Sequence, residues 1–348
     1  MKSKAIFLFA LMVAVAANSA NAQNDLLYRI KKSGKVSKQV GKITEITPVS
    51  VSFNGRSGAE KIPVWEIQKL AAASEPSEVE KARDRIEARR FDEAIELLDK
   101  VKAGDNPITD AEVAWYKSVA ISELAFSGGG YSAIDAGNQM QKFLKAHPKS
   151  HHFVPATDLM GRLALASGAM EEAARRFTLQ TKSKWPEYVA RGHFYTGESF
   201  LRAQNYPQAK AAFDKVLAIQ SNDDISQRYK RLAQCQKAKV AALTGDASAS
   251  VSELEAIIKR EDPDDKELFA YAYNALGACY LKGNDLAEAE EKFLFTYTLF
   301  DTESGPHAEA AFRLTGIWTT RNQTDRASEA RQILKSRYRN TWWSSQLN

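Results

Sequence analysis

Small and large apolar residues recur at one spacing through most of this sequence. Gly277 and Ala289 stand twelve positions apart, and Phe293 follows four positions later. Two antiparallel helices joined by a tight turn need small residues where their axes cross, and a large residue one helical turn later fills the gap beside the crossing. Each such pair keeps one apolar side uncovered, so it is stable only when it stacks on another pair. The same spacing relates three further sets: Gly161, Ala173 and Phe177; Gly197, Ala209 and Phe213; and Ala82, Ala94 and Leu98. Ala238, Ser250 and Leu254 fit it more loosely. In a last copy, with Thr315, Trp318 and Ala327, Arg331 stands where the large apolar residue is expected.

Prolines and glycines divide the chain after about residue 77 into segments with apolar residues at helical spacing. The breaks indicate about fourteen helices. We therefore predict a mainly α protein, an α-solenoid of about seven antiparallel helix pairs over residues 75–340. A small β-rich module precedes it, and a tail over residues 341–348 follows.

The best copy of the repeat resembles the tetratricopeptide repeat, whose motif is Trp-x2-Leu-Gly-x2-Tyr followed by Ala and Phe. The matching residues are Tyr273, Leu276, Gly277, Tyr280, Ala289 and Phe293. The resemblance covers about 260 residues and implies a superhelix in which the first helix of each pair lines a concave groove. It places nine residues on or near that lining: Arg162, Arg191, Phe194, Arg202, Lys239, Tyr271, Asn274, Lys282 and Phe312.

Basic groups with interspersed aromatic residues suit a peptide with acidic side chains or a free carboxylate. We expect a non-enzymatic scaffold that binds such a protein or peptide partner in the groove. Two alternatives stay open: the arginines and lysines merely solvate the groove, or an accessory subunit binds a carbohydrate or cell-wall polymer there. If the groove is not the site, the next candidates are Val49 to Phe53 and the Trp342-Trp343 pair.

The first 22 residues have the three parts of a signal peptide. Lys2 and Lys4 precede an apolar run from Ala5 to Ala17, and Ala20-Asn21-Ala22 offers a cleavage site before Gln23. The run is shorter than the roughly 20 residues that span a bilayer. We expect export to the periplasm or the medium after cleavage near Ala22, and the alternative is an uncleaved anchor.

Residues 23–70 are rich in β-branched residues and glycine, which predicts a small β module of four or five short strands. Val49, Val51 and Phe53 alternate directly before Asn54-Gly55, a strong hairpin signal. The spacing from Trp65 to Leu70 predicts a helical turn or more. The apolar pattern of this segment resembles small SH3-like or Sm-like barrels. Some Sm-like proteins bind RNA, but no cluster of stacking aromatics among basic residues supports that here.

Known catalytic and metal-binding patterns are missing from the sequence. It contains no His-Glu-x-x-His, Gly-x-Ser-x-Gly or Cys-x-x-Cys motif. His147, His151 and His152 form a cluster, which we interpret as exposed imidazoles at a helix end, with a metal site as the weaker alternative. We therefore expect no enzyme, cofactor or metal. The net charge of +5 is too small to favour nucleic acid.

Two pairs of residues each have two interpretations. We interpret Cys235 and Cys279 as buried apolar residues, and the alternative is a disulfide bond between them in an oxidising compartment. Trp342 and Trp343 either cap the last helix pair, which we favour, or form an exposed docking patch.

Overall fold

The computed structural model describes residues 24–30, 35–102, 104, 106–245, 247–261, 264–339 and 341–347. A five-stranded antiparallel sheet comes first along the chain, and helices joined by short loops follow it. The predicted signal peptide lies outside the described residues. None of the helices in these ranges is long and apolar enough to cross a bilayer.

The β module is a single sheet with strand order β4-β3-β2-β1-β5. Its core consists of apolar residues that alternate along the strands, including Leu27, Val51, Phe53 and Ile62, each at most 3% exposed. The strands are β1 (Asp25–Ile30), β2 (Val36–Ile46), β3 (Ser50–Gly55), β4 (Gly58–Pro63) and β5 (Ile67–Ala71).

The predicted hairpin is present, but its turn lies beyond the Asn-Gly pair. Asn54 and Gly55 belong to β3, and Gly55 pairs with Gly58 across the two-residue turn of Arg56 and Ser57. Gly58 has a φ of +101°, a conformation that glycine adopts without the steric cost of a Cβ atom. The glycine that gives the turn its positive φ is therefore Gly58 and not Gly55.

The prediction of a helix from Trp65 to Leu70 was wrong. A single 3-10 turn, Val64–Glu66, leads into strand β5, which pairs with β1. The register shifts between Tyr28 and Arg29, whose partners are Lys69 and Ile67. Because this bulge breaks the two-residue alternation, residues three apart, Ile67 and Leu70, both face the sheet core. Apolar residues three positions apart are also typical of a helix, which is why the sequence indicated one here.

Fourteen helices in the described ranges form seven antiparallel pairs, and a short fifteenth helix ends the chain. Each pair packs on the next, as the solenoid prediction requires. The helices are α1 (Ser77–Glu87), α2 (Phe91–Leu98), α3 (Pro107–Ser127), α4 (Ala133–Ala146), α5 (Phe153–Ser167), α6 (Met170–Gln180), α7 (Pro186–Arg202), α8 (Tyr206–Leu217), α9 (Asp224–Thr244), α10 (Ser248–Arg260), α11 (Lys266–Lys282), α12 (Leu286–Leu299), α13 (Ser304–Thr320), α14 (Thr324–Ser336) and α15 (Trp342–Ser345).

The glycines of the repeat lie against the phenylalanine rings sixteen positions later. A Cβ atom added to Gly277 would lie 2.7 Å from Phe293 Cζ, closer than real Cβ contacts. Gly161 and Gly197 meet the Phe177 and Phe213 rings in the same way, at 2.7 and 2.5 Å. The three rings are fully buried. The repeat spacing thus encodes one contact that recurs in three helix pairs.

The cores of the middle repeats merge into one cluster from α5 to α11. Cys235 and Cys279 both belong to this cluster, and both thiols are free. Their burial confirms the interpretation as apolar core residues.

The C-terminal helices close the superhelix onto its early pairs. Gly128, at the end of α3, lies against the backbone of Arg337, and Gly168, at the end of α5, lies against the Trp342 ring. Trp343 is 6% exposed and packs with Leu334 and Tyr338 of the last pair. The tryptophans therefore cap the last helix pair, as favoured from the sequence, and they also join it to α5.

Buried charges fix the β module on the first helices. The Asp25 carboxylate accepts hydrogen bonds from the backbone N–H groups of Ile43 and Ala73, at 2.9 and 3.0 Å. Arg83 of α1 donates to the Leu70 carbonyl at 3.0 Å and pairs with Glu75. The Asp25 bonds hold strand β1 to β2 and to the segment after β5, and the Arg83 bond to Leu70 joins β5 to α1.

The contact of Gly277 with Phe293 generates the first prediction. Gly277→Ala should destabilise the fold by roughly 1–3 kcal/mol, because the added methyl group overpacks a fully buried ring. Thermal or denaturant unfolding measures the change. Gly316→Ala is the matched control, since this exposed glycine of α13 has no atom near its Cβ position. It should stabilise by about 0.5–1 kcal/mol. Equal effects of the two substitutions would contradict the packing.

Candidate functional site

The inner face of the superhelix encloses a small cavity. Closure by the C-terminal helices leaves about 190 Å³, enough for roughly six waters or one side chain but not for an extended peptide. Its wall is part polar and part apolar and includes the ring of Tyr271. It carries charges of both signs, from Arg89, Glu123, Arg162, Arg202 and Glu267. The open concave groove implied by the tetratricopeptide resemblance is thus narrowed to this inner cavity.

Several predicted groove residues are buried and bonded within the chain. The Lys239 ammonium forms an ion pair with the Glu309 carboxylate, and each side chain is 6% exposed. Asn274 Nδ2 donates to the Pro306 carbonyl at 2.8 Å. These bonds attach α13 to α9 and α11. Replacing Lys239 by glutamate would bury two facing carboxylates and destabilise the fold.

Phe194 and Tyr271 are also buried, at 0% and 6% exposure, and their rings contact each other edge to face at 5.7 Å. The Tyr271 hydroxyl donates to Glu198 at 3.5 Å. A direct contact of these side chains with a partner would require the helix pairs to separate, so their role in binding stays a prediction.

The remaining predicted residues are more accessible. Arg162 and Arg202 are half-buried at the inner cavity, where Arg162 lies over the Phe126 ring and Arg202 lies 3.9 Å from Glu198. Arg191 pairs with Asp158 beside a different cavity, Lys282 is exposed at the end of α11, and Phe312 packs on Trp343. The structure therefore brings Arg162, Arg202 and Tyr271 together and leaves Lys282 apart.

A second surface lies where the β module meets the helices. Sequence reasoning named only a part of it, the segment from Val49 to Phe53, as a secondary candidate. This module groove, of about 660 Å³, is lined by residues of β3 and β4, of α5 and α6, and of the loop that leads into α7. Val49, Trp65, Phe153, Val154, Leu179 and Trp185 make most of its wall apolar.

Exposed apolar side chains and lysines distinguish the module groove from the inner cavity. Val49 and Leu179 are each 52% exposed. Lys61, Lys182 and Lys184 are exposed along the groove, and its lining contains no acidic residue. Exposed apolar area beside unpaired positive charge is typical of surfaces that bind an amphipathic anionic segment.

The module groove depends on contacts that are distant in sequence. The Trp65 ring lies 3.7 Å, centroid to centroid, from the ring of Trp185, which precedes α7. The only sequence signal for this region was the alternating segment from Val49 to Phe53, named as a secondary candidate. No local pattern relates that segment to Leu179 or Trp185.

A buried polar cluster lies directly before the α5 residues that line the module groove. His151 and His152, in the turn before α5, are 5% and 7% exposed. His152 Nε2 lies 3.0 Å from Glu112 Oε1, and His151 Nε2 lies 3.8 Å from the same oxygen. The expectation of exposed imidazoles is therefore wrong for these two residues, because Glu112 on α3, forty positions earlier, covers them.

Burial sets the protonation of the buried histidine cluster. Desolvation lowers the pKa of His151 to about 3 and holds the pKa of His152 well below its ordinary value. Desolvation also raises the pKa of Glu112. Both imidazoles are therefore neutral at physiological pH.

Comparison with known proteins agrees with the repeat geometry. A tetratricopeptide repeat family model matches residues 159–224 and 235–297. These two segments are tetratricopeptide repeats. They contain the three pairs in which a glycine lies against a phenylalanine ring: Gly161 with Phe177, Gly197 with Phe213, and Gly277 with Phe293.

Two solved structures show the same fold at low sequence identity. One is a tetratricopeptide repeat protein from Parabacteroides merdae, 18% identical, with a TM-score of 0.50 over 75% of this chain and 92% of that one. The other is a Rap protein complexed with Competence and Sporulation Factor, 14% identical, with a TM-score of 0.51 over 77% of each chain. No curated protein sequence matches this chain. Tetratricopeptide repeat folds are consistent with protein–protein interaction scaffolds.

The interior of the repeat domain generates a pH prediction. Burial raises the pKa of Glu198 to about 7, although Arg202 and Lys239 lower it and Glu309 opposes them. Because its folded pKa exceeds the unfolded value, the stability from this group is present below about pH 4.5 and is lost as the pH rises through about 7. Glu198→Gln should therefore gain about 3 kcal/mol relative to the wild type at pH 8, and little at pH 5.

Unfolding of both proteins at the two pH values checks this expectation. Glu96→Gln, on the exposed face of α2, is the control and should leave the pH dependence unchanged. If the Glu198 variant kept the wild-type difference between pH 5 and pH 8, the buried carboxylate would not be its source.

Proposed function

We propose that this protein is a non-enzymatic scaffold, exported to the cell envelope, that binds an acidic segment of a protein partner in the module groove. The export step rests on the signal-peptide pattern of residues 1–22. The scaffold role follows from the tetratricopeptide repeats. The observation that carries the choice of site is the apolar groove with three exposed lysines and no acid in its lining.

Size and charge favour the module groove over the inner cavity. At about 660 Å³ it exceeds the 190 Å³ of the inner cavity and falls within the range of binding sites. In the inner cavity, arginines face glutamates of the same chain, whereas Lys61, Lys182 and Lys184 face solvent. Exposed cations of one sign attract an acidic partner and accelerate its encounter.

Apolar contact supplies the remaining selectivity. Leu179 and Val49 expose about half of their surface and line the module groove together with the paired Trp65 and Trp185 rings. A partner segment with an apolar face and acidic flanks would cover these side chains and approach the lysines. Arg162 and Arg202 remain candidate contacts for a side chain or chain end that enters the inner cavity.

Photo-crosslinking in the cell envelope tests the site. A photoreactive residue at Leu179 should crosslink one protein partner, which is then identified by mass spectrometry. The same residue at Leu299, an equally exposed leucine of α12 at 58%, is the matched control and should not capture it. Capture at both positions, or capture of a polysaccharide at Leu179, would contradict the proposal.

Charge reversal then measures the electrostatic contribution to the binding of the partner. Exchanging Lys61, Lys182 and Lys184 for glutamate should weaken binding of the identified partner at least tenfold, since each contact contributes about 0.5–1 kcal/mol and reversal adds repulsion. Wild-type binding should weaken as salt rises. The control exchanges Lys142, Lys145 and Lys335, which lie on α4 and α14, with the same change in net charge. Equal affinities for the two triple variants would remove the lysines from the site.

A further inference from the structure

We propose that Glu112, His151 and His152 form a binding site for one divalent transition-metal ion, with zinc as the best match. Each residue offers one ligand atom, and the three atoms all lie within 4.8 Å of one another. Two imidazole nitrogens and a carboxylate oxygen are an established ligand set for zinc.

The distances suit a tetrahedral ion. With metal–ligand bonds of about 2.0–2.1 Å, neighbouring ligand atoms of a tetrahedral site lie roughly 3.3 Å apart. Glu112 Oε1 lies 3.0 Å from His152 Nε2 and 3.8 Å from His151 Nε2, values on either side of this separation. Small side-chain shifts would therefore complete the coordination.

An unsatisfied nitrogen points to a missing ligand. His151 is 5% exposed, and its Nε2 atom has no hydrogen-bond partner. A buried polar atom without a partner destabilises the folded state, so such atoms usually have a bound water or ion. A metal ion between Nε2 and Glu112 would satisfy it.

The charges around the cluster admit a cation. Arg83 carries one positive charge, and the buried carboxylates of Glu75 and Glu112 both pair with it. The exposed Glu80 is balanced by Lys69. One negative charge is thus in excess within the buried set. Arg83 lies 3.2 Å from Glu112 Oε2, which leaves Oε1 directed at the imidazoles.

Surrounding groups orient the ligands and leave an entry path. The Trp115 ring stacks on the His152 ring at 4.6 Å and 12°, and the Ser150 hydroxyl accepts from the His152 backbone N–H at 3.1 Å. Such contacts limit the shifts of the ligands to the small ones that coordination needs. Glu112 and His151 also line an open cavity of about 310 Å³, from which water would reach a fourth coordination position.

Metal titration of the untagged protein tests the site. After removal of metals with a chelator, the folded chain should bind one equivalent of zinc in equilibrium dialysis. Co²⁺ should give the intense visible bands of a four-coordinate site. Zinc at a hundredfold excess over its Kd should raise Tm by about 5 °C. Absence of zinc binding, or a six-coordinate Co²⁺ spectrum, would overturn the proposal without any variant.

Substitutions then assign the ligands. His151→Gln and Glu112→Gln should each weaken zinc binding at least tenfold and abolish the Tm shift. His193→Gln, a half-buried histidine of α7 outside the cluster, is the matched control and should retain both. Circular dichroism establishes that the variants fold. Undiminished affinity in folded His151→Gln or Glu112→Gln protein would show that zinc binds elsewhere and would refute the site.

Discussion

The close approach of a glycine to a phenylalanine ring underlies the helical domain. Where Gly277 meets Phe293, the absence of a Cβ atom lets two helix axes come close while a large ring fills the space beside them. The contact recurs in two earlier pairs and sets a similar geometry in each. Since every pair leaves one apolar side uncovered, stability depends on stacking, and the cores from α5 to α11 merge.

Closure of the superhelix decides what its inner face can do. Gly128 against Arg337 and Gly168 against Trp342 bring the last pair onto the early ones, so a lining that would be open in a longer superhelix becomes a small polar cavity. Bonds such as the Lys239–Glu309 pair stabilise that arrangement and occupy groups that otherwise would face a ligand. The open apolar surface lies instead at the β module.

The β module acts through its junction with the helices. Arg83 joins the module to α1 and α3, because its guanidinium contacts the Leu70 carbonyl, Glu75 and Glu112. The start of α5 contributes to two features, with His151 and His152 in the buried histidine cluster and Phe153 and Val154 in the module groove. The junction therefore places a candidate protein-binding surface and a candidate metal site within the same part of the fold.

The sequence alone determined the repeats, the helix breaks and the presence of a β module, because these depend on spacings of two to sixteen residues. It also indicated burial of the two cysteines and capping by the terminal tryptophans. Only the tertiary structure decided that Lys239 meets Glu309, seventy positions away, and that Glu112 covers His151 and His152. The physical reason is that curvature accumulates from small rotations between successive pairs, and no local pattern records their sum. The β5 strand shows the same limit on a smaller scale, since a bulge set by its partner gave it the spacing of a helix.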